Sequence, residues 1–254
     1  MIMQWVAIFP LFFVSFVPFA FGEAFIENDQ QYIGDDGAFH IVGEIRNDLK
    51  APLNQISIHA TLFDEHGKVI ESKKTSSLIN TIMPGMKGPF DLILTNHNAK
   101  KVKSYSLDLD YNVSPPKNQV IGITESKLSR DNFNNLMITG MVSNNGDITA
   151  NMITVVATLY DKDGKVALVN TVNPEPDYLR AQDNAFFLVS IPDKIQTSKI
   201  TEYSLVAESE EYAAVPEFPI GTIVLLIITL SAYIGITRFS GRLMINLISA
   251  TNLK

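Results

Sequence analysis

Residues 43–70, GEIRNDLKAPLNQISIHATLFDEHGKVI, align without a gap on residues 140–167, GMVSNNGDITANMITVVATLYDKDGKVA. The offset is 97 residues, and 11 of the 28 positions are identical, among them Gly43/Gly140, Asn47/Asn144, Leu62/Leu159, Asp64/Asp161 and Gly67/Gly164. Tyr105-Ser106-Leu107 matches Tyr203-Ser204-Leu205 after a one-residue slip. A unit that recurs at this interval is a small fold repeated, so the chain is expected to hold two similar domains in tandem rather than one large one. The expected bounds are 23–113 and 118–210, with Pro115-Pro116 making the linker short and stiff.

Each repeat reads as strands. Ile56, Ile58, Ala60 and Leu62 alternate with Ser57, His59 and Thr61, and Ile153, Val155, Ala157 and Leu159 keep the same parity in the second copy. Tyr105, Leu107, Leu109 and Tyr111 alternate with Ser106, Asp108 and Asp110. A period of two marks a strand with one buried face. Gly43 and Gly140 fall on the apolar parity beside Ile41/Ile45 and Ile138/Val142, where a missing side chain leaves room for a close neighbour such as an aromatic ring. Six or seven short strands in about 90 residues point to an all-β fold made of two tandem immunoglobulin-like sandwiches.

The stretch ATLYDKDGKV, residues 157–166, has the look of a calcium loop. An EF-hand loop with Gly164 at its sixth position would begin at Leu159 and end at Asn170, and neither residue is an acid. The twin stretch ATLFDEHGKV keeps Asp64 and Gly67 but not the middle acid. The shared pattern, Asp64 with Gly67 and Asp161 with Gly164, is that of a hairpin closed by a type I turn, with glycine in the left-handed region. The four histidines (His40, His59, His66 and His97) form no close-spaced ligand pair and have no counterpart in the second repeat, and Met83 and Met86 stand without a nearby His or Cys, so neither set makes a metal site. All four histidines read as isolated surface groups. The segment ESEE, residues 208–211, reads as a solvated acidic stretch.

Ala60-Thr61-Leu62-Phe63-Asp64 and Ala157-Thr158-Leu159-Tyr160-Asp161, each followed by Gly-Lys-Val and preceded by a Gly-x-[Ile/Val]-x-Asn strand end, resemble the FxLyD domain. Alanine stands where the family's first named position has phenylalanine. The resemblance implies an extracytoplasmic β-sandwich of prokaryotic surface proteins, and no particular activity.

The two ends address the chain to a membrane. Residues 1–22 carry no charged side chain, with an apolar run over 6–19 and small residues at Ala20 and Gly22. They are expected to form a signal peptide, with an uncleaved anchor as the alternative. Residues 220–237 are uncharged and long enough to span a bilayer, and Arg238 and Arg242 follow at once. The positive-inside rule puts the 238–254 tail in the cytoplasm and the repeats outside. Between repeat and span lies a neck, 211–219, holding Pro216-Glu217-Phe218-Pro219. That tetrapeptide, followed by a span and a basic tail, resembles the archaeal PEF-type C-terminal sorting signals. The resemblance implies processing near these four residues and transfer to a lipid anchor; a permanent membrane helix stays open beside it.

All 27 acidic residues lie between Glu23 and Glu217, which argues against a nucleic-acid partner. With no cysteine there is no disulfide frame and no thiol nucleophile. No serine elbow, phosphate loop or dinucleotide fingerprint is present, and no cofactor is expected. Asn112-Val113-Ser114 is a candidate glycosylation sequon followed by Pro115. The expected function is non-catalytic: a membrane-anchored module of the cell envelope that binds a partner protein, a surface layer or a polymer. The alternative is an accessory or solute-binding subunit of a membrane complex, for which Gly221, Ser231, Ala232 and Gly235 offer small-residue helix surfaces.

Overall fold

The computed structural model describes residues 22–215 together with Ser231, Tyr233 and Ile234. The tetrapeptide 216–219, the 238–254 tail and all but the last residue of the expected signal segment lie outside the described residues, as does the expected span apart from those three positions. Among the described residues no helix is long and apolar enough to cross a membrane.

The fold is all-β. The first repeat contains β1 (Ala24–Ile33), β2 (Phe39–Asn47), β3 (Leu53–Phe63), β4 (Val69–Ser76), β5 (Lys87–Leu94) and β6 (Ser104–Val113). The second contains β7 (Gln119–Arg130), β8 (Leu136–Asn144), β9 (Thr154–Asp161), β10 (Val166–Val172), β11 (Asn184–Ile191), β12 (Ile200–Glu208) and the short β13 (Ala213–Ala214). In the first repeat a β1-β2-β5 sheet faces a β4-β3-β6 sheet; in the second, β11-β8-β7-β13 faces β10-β9-β12. Every pairing is antiparallel except β13 with β7.

The alternation seen in the sequence builds the two cores. Ile58, Ala60 and Leu62 are buried in the first; Val155, Ala157 and Leu159 are buried in the second. Gly43 pairs with Phe90 across β2 and β5, and Gly140 pairs with Phe187 across β8 and β11. A Cβ on Gly43 would lie 2.8 Å from the Phe90 ring, and one on Gly140 would lie 2.7 Å from the Phe187 ring. Each glycine is therefore the seat of a fully packed aromatic ring.

This seat gives a direct test. Gly43→Ala is expected to destabilise by about 1–3 kcal/mol through overpacking. Phe90→Leu is expected to cost about 1–2 kcal/mol through the cavity it leaves. In the double variant the new methyl enters the space that the ring vacates, so the costs should fall short of their sum by about 1 kcal/mol or more. Additive costs in denaturant unfolding would show that ring and glycine are not in contact.

The duplication reaches the backbone. Asn28 and Glu125, one offset apart, both have φ 56° at a bulge in β1 and β7. Gly67 and Gly164 both have φ 74°. At the first hairpin, Gly67 N–H donates to Asp64 O at 3.1 Å, while Asp64 Oδ1 accepts from the N–H groups of His66 and Lys68 at 2.9 Å. Asp161 Oδ1 accepts likewise from Asp163 and Lys165, and Gly164 N–H donates to Asp161 O. One carboxylate oxygen of each aspartate is thus turned onto its own turn, while Asp161 Oδ2 accepts from Gln30 Nε2 of the first repeat at 3.4 Å.

Two expectations need correction. Residues 208–211 are not a solvated stretch: Glu208 and Ser209 are buried, and Glu211 holds the backbone and side chain of Asn151. The chain also does not leave the sandwich at residue 211. Tyr212, Ala213 and Ala214 are buried, and β13 adds to the free edge of β7, so the second repeat extends to Ala214.

Candidate functional site

The two sandwiches are packed together through the outward face of β1-β2-β5 and the outward face of β10-β9-β12. Val156, Val166 and Val169 of the second repeat are buried in the core cluster of the first, with Tyr160 and Val206 against it. Their counterparts in the first repeat are His59, Val69, Ser72, Phe63 and Asp108, on a sheet that faces solvent at His59, Val69, Ser72 and Asp108. The second repeat is therefore apolar on both faces of this sheet, and that difference between the copies makes the junction.

Polar groups fix the register of the two bodies. Glu44 of β2 is 2% exposed. Its carboxylate accepts from the Tyr160 hydroxyl at 2.5 Å, from Lys87 Nζ at 3.2 Å and from Asn28 Nδ2 at 3.4 Å. Burial pulls the Lys87 ammonium down, but the carboxylates of Glu27 and Glu44 outweigh it and hold the group above its ordinary value. Burial, then the charge and hydrogen bond of Glu44, drive the Tyr160 phenol far above its usual range. Gln30 Nε2 donates to Val166 O at 2.7 Å. At the opposite end, Glu208 Oε1 accepts from Asn80 N–H at 2.7 Å and from Asn80 Nδ2 at 2.9 Å. Burying such groups is tolerable only when they are paired.

At the margin of this junction lies a cleft of about 400 Å³. Tyr32, Asp35, Asp36, His40 and Asp91 line it from the first repeat, and Leu168, Val169, Asn170, Ile191, Pro192 and Asp193 line it from the second. The His40 ring stacks flat on Tyr32 with centroids 4.6 Å apart, and its Nδ1 lies 3.0 Å from both oxygens of Asp91. Burial lowers the His40 pKa, yet the hydrogen bond and charge of Asp91 outweigh it, so the imidazole is held above its ordinary value. Of the sequence's four histidines this one is a half-buried, partnered group rather than a free surface one, which corrects the expectation.

The acids of the cleft are partnered. Asp193 Oδ1 caps the short helix 194–197 at Gln196 N–H, and its Oδ2 accepts from Asp35 N–H at 3.2 Å. Asp35 Oδ2 accepts from Lys194 N–H at 2.7 Å, and Asp36 Oδ1 from Ala38 N–H at 2.9 Å. The result is an anionic rim over an apolar floor. Chemically it suits a positively charged or polar group seated beside an aromatic stack.

The residues singled out in the sequence lie elsewhere. Asp64, Gly67, Asp161 and Gly164 sit in the two β-hairpins and do not meet at the cleft. Asn112 is exposed on β6, where its Nδ2 donates to Gln55 Oε1 at 2.6 Å. Among the described residues no three His, Cys, Asp or Glu are placed to hold a metal ion. The cleft residues were not legible because they are scattered from position 32 to position 193. The one available signal was the run of valines at the off-core parity of the second repeat.

No family model matches the chain, and no curated protein does so either. Among solved structures, the exo-chitosanase CsxA of Amycolatopsis orientalis is matched over 75% of this chain and 26% of that one, at 12% identity and a TM-score of 0.28. Red sea bream transglutaminase is matched over 76% of this chain and 29% of that one, at 10% identity and a TM-score of 0.24. The CBM22-1-CBM22-2 tandem of Paenibacillus barcinonensis Xyn10C is matched over 74% and 83%, at 11% identity and a TM-score of 0.17. The chain thus spans under a third of the two enzymes it matches, and at these scores the likeness carries no argument about function.

Proposed function

We propose that this chain is a non-catalytic binding or structural module of the cell envelope: two immunoglobulin-like sandwiches of FxLyD type, exported and held at the membrane by residues 220–237. Residues 1–22 direct export, and the tetrapeptide Pro216-Glu217-Phe218-Pro219 marks either a processing site or a stiff neck. The partner is an envelope protein, a surface layer or a polymer, met outside the cell. The observation that carries this reading is the junction between the repeats. Glu44, Glu208 and Asp193 are committed to hydrogen bonds that cross between the two repeats, and Asp91 is committed to His40 on the neighbouring strand. A double sandwich braced in this way suits the presentation of surface.

The test is fractionation with external protease. The chain is expected in the membrane fraction, with residues 23–215 digested by protease added to intact cells. Recovery in the soluble cytoplasm, or protection from the protease, would sink the reading. Intact mass adds the processing: a mature C-terminus at Lys254 excludes sorting and leaves the permanent helix. Stoichiometric partners after mild detergent extraction would favour the accessory-subunit alternative.

A further inference from the structure

The cleft at the margin of the junction is built from both repeats, and its walls carry one sign of charge. Four carboxylates line it: Asp35, Asp36 and Asp91 from the first repeat and Asp193 from the second. No lysine or arginine side chain lines it, and the one group there able to carry positive charge, His40, is spent on Asp91. Gly34 lets these groups converge. A Cβ on it would lie 2.8 Å from Asp36 Oδ1, 3.4 Å from Asp193 Oδ2 and 3.4 Å from His40 Nε2. Its φ is not in the left-handed region, so the position requires the missing side chain rather than an unusual backbone. The Tyr32 phenol feels the same field: burial first, then the charges of Asp91, Asp193 and Asp36, hold it far above its usual range. Below the rim, Leu168, Val169 and Ile191 are buried and form an apolar floor. At about 400 Å³ the cleft has the dimensions of a ligand site, and a concave wall of one charge sign concentrates the opposite one.

We propose that this cleft binds a primary ammonium group carried on an aliphatic stem. Charge complementarity calls for a cation, and three features narrow its kind. Among the described residues no three His, Cys, Asp or Glu are placed to hold a metal ion, so the carboxylates ring a wider space than an ion fills. Next, none of the four carboxylates has both oxygens free. Both oxygens of Asp91 face His40 Nδ1, and both of Asp193 accept from backbone N–H groups. Asp35 Oδ2 and Asp36 Oδ1 also accept from backbone N–H, which leaves Asp35 Oδ1 and Asp36 Oδ2 as single acceptors. A guanidinium fork matches paired oxygens, whereas an ammonium takes single oxygens from several directions. Last, the Tyr32 and His40 rings lie flat on each other, so they do not make the aromatic cage that suits a quaternary ammonium. The ammonium sits among Asp35, Asp36 and Asp193, and its stem lies along Leu168, Val169 and Ile191. A lysine side chain of a partner protein and a free alkyl diamine carry the same group, and the test separates them. The site needs neither the export segment nor the anchor, so its failure leaves the envelope reading standing, and the failure of that reading leaves the site.

The purified full chain is titrated by calorimetry with cadaverine and with the methylamide of Nα-acetyl-lysine, at millimolar concentration. The comparison ligands are the same lysine amide acetylated on its side chain, the matching arginine amide, and calcium chloride. One-to-one binding of at least one of the two amines is expected, with each comparison ligand weaker by about tenfold or more. Tighter binding of the lysine amide assigns the cleft to a partner's side chain, and tighter binding of cadaverine assigns it to a free amine. Asp36→Asn keeps an oxygen for the Ala38 N–H and is expected to weaken binding by about tenfold. Asn170 lines the cleft, so Asn170→Lys sets the chain's own ammonium there and is expected to abolish binding. Asp108→Asn, exposed on β6 away from the cleft, should leave the affinity unchanged. Melting temperatures close to that of the native chain show that the losses are not unfolding. No binding of either amine, equal binding of the acetylated amide, preference for arginine or calcium, or an affinity unmoved by Asp36→Asn or by Asn170→Lys would each overturn the proposal.

Discussion

Asn144→Ala is expected to destabilise the protein by about 2–3 kcal/mol, the cost of removing several hydrogen bonds at a buried site and leaving the Gly146 N–H and the Ile148 carbonyl without their side-chain partner. Asn144 ends β8 and is fully buried. Its Nδ2 donates to Ile148 O at 2.8 Å, Leu179 O at 3.0 Å and Arg180 O at 3.2 Å, while Oδ1 accepts from Gly146 N–H at 2.9 Å. One amide thus ties the β8–β9 turn to the loop between β10 and β11. Asn47 does the same in the first repeat, donating to Ala51 O at 3.0 Å and Ile82 O at 2.8 Å and accepting from Leu49 N–H at 3.0 Å. No other side chain of this size has both donor and acceptor in that geometry. Asn144→Asp keeps the acceptor, loses the donors and buries a carboxyl, so it is expected to be no milder. Asn145→Ala, one residue on and exposed, should stay within about 0.5 kcal/mol. Denaturant unfolding decides it; a cost below about 1 kcal/mol for Asn144→Ala would show that water replaces the amide.

The second large effect is a dependence on pH. Burial pushes the Glu208 carboxyl up to about 7, against the opposing pull of the Asn80 and Thr81 backbone N–H groups, Lys117 and the Asn80 side chain. The unfolded chain ionises near the ordinary glutamate value. Between that value and about 7 the folded protein binds the extra proton, so stability falls as pH rises through this window and levels off above it. The full drop is up to about 3 kcal/mol. Glu208→Gln removes the charge and keeps an oxygen for Asn80. The variant is expected to exceed the native protein by up to about 3 kcal/mol at pH 8 and to lie within about 0.5 kcal/mol of it at pH 4.5. His40, raised by Asp91, also loses its contribution as pH rises, so the difference between variant and native protein is the quantity to plot. A difference that does not change with pH would mean that Glu208 stays ionised.

The hairpin residues show how much was written locally. Asp161 and Gly164 could be assigned to a turn because the N–H donors that claim the aspartate lie within four residues of it. Gly43 and Gly140 could be assigned to close packing because strand parity put them on the core face. The buried acids were different. Glu208 reads in sequence as one of several acids in a row, and nothing near it announces that Asn80, 128 residues away, closes over it. Glu44 likewise looks like an outward strand residue until Tyr160 covers it.

The sequence by itself determined the duplication, the strand parity and the turns, since each rests on contacts between neighbours or on a period of two along one strand. Only the tertiary structure decided which outward faces are covered. A strand's outer parity records what a face is made of, and burial of that face depends on a second sheet arriving from about a hundred residues away. Valines at 156, 166 and 169 and the apolar set at 137, 141, 186 and 188 have the same local signature. The first set is closed by the other repeat, the second is open, and that difference belongs to the packing of the two bodies.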